Sequence, residues 1–143
     1  MKKIITYLLF IMTTVLFAGC SDSTSNESIG IKDTNGDYSK LNIALISDTI
    51  GTEQFILQAY EALEKASNTY GFKMTSIECT DTAAWEENTL AASNEGYDLI
   101  IGIGWQAADP FSDAADKFPN TKYAVIDTTA ANQKVTSFGF NEA

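Results

Sequence analysis

The chain has 143 residues, 45% of them apolar and 20% charged, which suits one globular domain or part of a larger protein. It has no histidine, every basic residue is a lysine, and the formal net charge is −10. Those facts exclude histidine-based catalysis, most transition-metal sites and arginine clamps on phosphate. They also make nucleic acid and anionic lipid poor partners, because a polyanion is repelled by both.

The first twenty residues read "MKKIITYLLFIMTTVLFAGC". Two lysines, an apolar core from Ile4 to Phe17 and small residues before a cysteine describe a secretory signal. As a membrane span the core is on the short side. The ending resembles a bacterial lipobox, with Phe17 three residues before Cys20 where leucine is usual. Residues 1–19 are therefore expected to be a lipoprotein signal peptide, and Cys20 the lipidated anchor to the extracytoplasmic face of the cell membrane. An ordinary signal with an incidental cysteine is the plainer alternative. Residues 20–40, rich in Ser, Asn, Asp and Gly, carry too little apolar surface to order themselves and read as a flexible tether.

From residue 41 to residue 143 strands and helices alternate. "LNIALIS" is a branched, apolar run of strand length. Thr52 is a reasonable N-cap for a helix to about Tyr70, with Ile56, Ala59, Tyr60, Leu63, Ala66 and Tyr70 on one face and Gly71 closing it. "FKMTSIEC" predicts a second strand, and Asp81 or Thr82 caps a helix through Asn94 that Gly96 ends. "YDLIIGIG" has the continuous apolarity of a strand covered on both faces. Asp109-Pro110 predicts an N-cap with proline at the first helical position, and Phe111, Ala114, Ala115 and Phe118 form that helix's apolar face up to Pro119. "KYAVID" and "VTSFGF" predict the last two strands. The alternation implies an α/β fold with a doubly wound, mainly parallel sheet. No helix covers the last strand, so the chain is expected to be one lobe of a longer protein.

In such sheets ligands bind beyond the carboxyl ends of the strands. Three of these strands end in Asp48-Thr49, in Gly104-Trp105, and in Asp127-Thr128. Each acid alone reads equally well as a helix or turn cap. Together with nearby aromatics they suggest a pocket for a neutral ligand rich in hydrogen-bond donors. Phe55 lies about 70° or more from the centre of its helix's apolar stripe, so it either packs at the rim or offers a flat surface on which a ring stacks. Trp105 is either a second stacking partner or a core residue. Cys79, with no catalytic partner near it in sequence, reads as a small buried hydrophobe. The stretch "LISDTIGT" resembles the start of haloacid-dehalogenase-type phosphatases. Ile50 stands where the proton donor belongs, and an isoleucine transfers no proton.

The blocks "IALISDTIGTEQFILQAYEALEKA", "NEGYDLIIGIGWQAADPFSDAADKFPNTKYAVID" and "VTSFGFNEA" resemble the first lobe of the basic membrane protein family, the lipid-anchored solute-binding proteins of ABC importers. The resemblance implies a type I periplasmic-binding-protein-like lobe, closing with a second lobe on a nucleoside-like molecule. It implies partners in ABC permease subunits, no cofactor, no metal and no catalysis. Asp48 matches the family's acid after the first strand, Phe55 the aromatic that stacks on the base, Asp127 the acid ending the fourth strand, and Trp105 the aromatic after "GxG"; Thr49 joins them as a ligand-binding candidate. Ile56 departs from the family's asparagine, which removes an amide from the expected pocket. A lipoprotein sensor feeding a membrane signalling system is the alternative that uses the same fold.

Overall fold

A computed structural model describes residues 36–140, so the leader, Cys20 and most of the expected tether lie outside the described residues. The strands are β1 (Asn42–Asp48), β2 (Lys73–Cys79), β3 (Leu99–Ile103), β4 (Lys122–Ile126) and β5 (Val135–Phe138). The helices are α1 (Gln54–Tyr70), α2 (Thr82–Glu95) and α3 (Ala108–Lys117). All four strand pairings are parallel, in the order β2-β1-β3-β4-β5.

That order follows from handedness. Each strand–helix–strand unit crosses over right-handed, so a unit stepping one way along the sheet and a unit stepping back put their helices on opposite faces. The chain steps outward from β1 to β2 and then reverses across β1 to β3. Hence α1 covers one face, and α2 and α3 cover the other. β1 lies between β2 and β3 and is buried from Ile43 to Ser47.

The two faces pack differently. Under α2 and α3, the strand residues Ala44, Ile46, Ile100, Tyr123 and Val125 meet Trp85, Phe111 and Ala114 in a continuous core. Tyr123 packs edge-on to Phe111 at 5.6 Å between ring centroids, and its hydroxyl lies 2.8 Å from Ser93 Oγ. Gly102 is required here, because a Cβ on it would overlap Ala107 Cβ and stand 2.8 Å from Phe111 Cζ. On the other face a smaller cluster of Leu45, Ile56 and Ile103 is joined by partly buried Ala59, Tyr60, Leu63 and Ile101.

Three expectations need correcting. Thr52 does not cap α1; its hydroxyl donates to the Thr49 carbonyl at 2.7 Å within a turn, and α1 begins two residues later after Glu53, which makes no side-chain cap. Asp109 is not an N-cap, because a 3-10 turn, Trp105–Ala107, runs directly into α3 and leaves Asp109 and Pro110 in the first helical turn. A proline loses nothing there, since first-turn amides have no intrahelical acceptor. Tyr70, placed on the apolar face of α1, is 38% exposed and packs edge-on against Tyr38 at 5.7 Å. Tyr38 belongs to a 3-10 turn, Tyr38–Lys40, that Asp37 caps, so the last residues of the expected tether carry local structure. Gly71 and Gly96 close α1 and α2 as expected.

Candidate functional site

The carboxyl ends of β1 and β3 lie side by side where the chain reverses direction. A sheet of this order opens a crevice there, because the two following connections depart to opposite faces. Register aligns the edge: Ile46 pairs with Gly102, Ile103 with Ile126, and Ile126 with Phe138. The Gly104 amide donates to the Ile126 carbonyl at 3.0 Å and the Asp127 amide to the Phe138 carbonyl at 2.8 Å. These bonds bring Asp48, the Gly104–Gln106 turn and Asp127 to one rim.

A hollow of about 160 Å³ opens at this rim, lined by Asp48, Glu53, Phe55, Gly104, Trp105, Gln106 and Asp127 together with Ile56 and Ile103. Four of the five expected ligand-binding residues, Asp48, Phe55, Trp105 and Asp127, therefore share one space. The fifth, Thr49, lines a second hollow of about 430 Å³ on the β2 side. That hollow also touches Asp48, Trp105 and Gln106, and adds Thr52, Thr80 and Thr82. Three carboxylates and no cationic side chain line the smaller hollow, which therefore favours hydrogen-bond donors over anions.

The two acids are held in different ways. Asp48 does not cap α1; its Oδ1 accepts from Trp85 Nε1 at 3.3 Å and its Oδ2 from Gln106 Nε2 at 2.9 Å. Asp127 is exposed, and its carboxylate accepts no side-chain hydrogen bond among the described residues. Its backbone sits at φ 67°, a left-handed conformation rare outside glycine though less costly for aspartate, of the kind that clusters at functional edges. Gly104 has φ 103°, which a side chain would disfavour.

Both aromatics are available at the rim. Trp105 is 71% exposed, which removes the core-packing alternative. Phe55 is half-buried against the Leu45–Ile103 cluster and meets Phe140 edge-on, at 5.6 Å and 83°. Cys79 is buried and free, and burial pushes its thiol above the usual range while the Asn88 amide pulls the other way. Among the described residues no group of three or more His, Cys, Asp or Glu is placed to hold a metal ion.

A family model described as "ABC transporter substrate-binding protein PnrA-like" matches residues 40–143. The chain belongs to this family, Bmp. The CD4+ T-cell-stimulating antigen of Listeria innocua is 25% identical over 94% of this chain and 39% of its own length. The ABC transporter nucleoside-binding protein BmpA of Lactococcus lactis subsp. cremoris is 26% identical over 97% of this chain and 40% of its own length. The chain thus spans about two fifths of the length of the curated relatives it matches. Among solved structures, an ABC transporter solute-binding protein of Aeropyrum pernix superposes with a TM-score of 0.65 at 27% identity, covering 71% of this chain and 29% of that one. The fold is a periplasmic-binding-protein-like lobe.

In this Bmp-family lobe the residues that sequence reasoning missed are Glu53, Trp85, Gln106 and Phe140. Trp85 sits on a helix with little amphipathic signal, and it reaches Asp48 across 37 positions of sequence. Gln106 is an amide in a short turn, where composition carries no warning. The amide expected after Phe55 is replaced by Ile56, which is 4% exposed and packs in the core. Gln106 brings an amide to the same hollow from a different loop.

Proposed function

We propose that this chain is the first lobe of a lipid-anchored receptor for an ABC importer, and that its rim binds one side of a nucleoside-like molecule. The observation that carries the reading is the shared hollow: carboxylate acceptors at Asp48 and Asp127 beside aromatic surfaces at Phe55 and Trp105, with no cation lining it. A nucleoside offers both halves of that complement, a flat ring for stacking and hydroxyl or amine donors for the acids. The name of the Lactococcus lactis relative supports the same ligand class.

In this mechanism nothing is made or broken. The ligand settles on the rim, a second lobe closes over it by hinge motion, and the closed form is what the permease recognises. The remaining length of the relatives is ample for such a lobe. Cys20, once lipidated, would hold the receptor on the extracytoplasmic side of the membrane. A phosphatase using Asp48 as nucleophile fits poorly, because both its carboxylate oxygens are engaged and Ile50 offers no proton.

Calorimetric titration of adenosine, guanosine, inosine and thymidine into the intact protein tests the reading. Binding by at least one, weakened in the Asp48→Asn and Asp127→Asn variants, supports it. No heat from any of the four, in a protein that is folded by circular dichroism, refutes the nucleoside class.

A further inference from the structure

The two donors on Asp48 are unequal in kind. Trp85 is 1% exposed on the buried side of α2, so its bond to Oδ1 comes from a side chain packed into the core. Gln106 is only part-buried, stands on the short 3-10 turn Trp105–Ala107, and makes no other side-chain hydrogen bond among the described residues. Its amide oxygen folds back over Gly104, 2.8 Å from where a Cβ on that residue would stand. The glycine therefore both permits the turn's φ of 103° and leaves room for the glutamine to reach Asp48. The same side chain forms part of the wall of both rim hollows.

We propose that Gln106 is a specificity-determining residue: a movable stand-in donor that occupies Asp48 Oδ2 whenever the bound ligand offers no donor of its own. The proposal rests on the nucleoside reading above and deepens it. A ligand hydroxyl or amine meeting Asp48 exchanges one N–H or O–H donor for another, so the gain is the difference between two similar bonds. A ligand without a donor at that point leaves Gln106 in place, and the carboxylate is not stranded under the closed lobe. Without the glutamine, the second kind of ligand would bury a carboxylate oxygen with no partner, the situation that gives binding sites strong discrimination. Gln106 thus makes the site tolerant, accepting donor-bearing and donor-lacking members of one ligand class with similar affinity. Sites that must refuse an analogue do the opposite, leaving a polar group with no substitute partner.

The test compares Kd ratios in the intact protein. Adenosine is the reference, 2′,3′-dideoxyadenosine lacks the 2′ and 3′ hydroxyl donors while keeping the 5′ hydroxyl, and purine riboside lacks the base amine. Wild-type protein is expected to bind at least one of the two analogues, the one whose missing donor would have met Asp48, within about threefold of adenosine. In Gln106→Ala, and in Gln106→Asn, whose amide is one methylene too short, affinity for one of the two analogues is expected to fall about tenfold or more relative to adenosine. Agreement between the two variants separates this role from a packing effect, since the asparagine keeps an amide in the turn. Unchanged ratios in both variants, with wild-type binding intact, overturn the role of Gln106 and leave the nucleoside reading standing. Wild-type protein that binds none of the three compounds overturns the nucleoside reading and this inference with it.

Discussion

The two faces of the sheet are closed to different degrees. Under α2 and α3 the packing is continuous, with Trp85, Phe111, Tyr123 and Val125 each fully buried. Under α1 an apolar trough of about 280 Å³ remains beside the helix, floored by Leu45, Ile101, Ile103 and Ile126. The rim inherits this asymmetry. The Gly104–Gln106 turn is pinned from the closed face, where Ala107 and Phe111 press on Gly102. Phe55 rides at the start of α1, above the looser face. One wall of the hollow thus stands on the continuously packed face, and the other stands above the face that keeps the trough.

Substitutions on the two faces and at the rim should differ widely in effect. Phe111→Ala removes a fully buried ring from the closed face and should destabilise by about 3–5 kcal/mol, measured by urea denaturation. Ile101→Ala, facing the trough where the side chain is only partly buried, should cost about 1–2 kcal/mol. Equal losses would mean that the faces are equally closed. Phe55→Ala should weaken adenosine binding about tenfold, or ~1.4 kcal/mol, through lost stacking, with a smaller change in stability. Unchanged affinity by calorimetry would take Phe55 out of the site. Lys134→Ala breaks an exposed ion pair with Asp116, 2.8 Å across the surface near β5, and should leave the thermal midpoint where it was.

Much of the closed face was legible in the sequence, and for a physical reason. α3 shows its buried stripe of Phe111, Ala114 and Ala115 at helical spacing, and β1, β3 and β4 are apolar runs because both of their faces are covered. The orientation of α2 was not legible. Its buried side consists of Trp85, Thr89, Ala92 and Ser93, so small and hydroxylated residues carry the packing and hydropathy marks no stripe. The chain's entry into α3 was misread because Asp109-Pro110 is a strong local start signal. Instead the Trp105–Ala107 turn leads straight into α3, which starts at Ala108, two residues before Pro110. At the rim, the strand-end acids and the aromatics stood out by chemical type. Gln106 did not, since its meaning depends on a bond to Asp48 across 58 residues of sequence.

The most direct test of the account is to titrate adenosine into isotopically labelled intact protein and follow backbone amide shifts. Perturbations concentrated at Asp48, Phe55, Gly104, Trp105 and Asp127 are the predicted result. Perturbations centred instead on the hollow of about 540 Å³ at the opposite end of α1, lined by Tyr60, Glu64, Phe72 and Lys73, would contradict it.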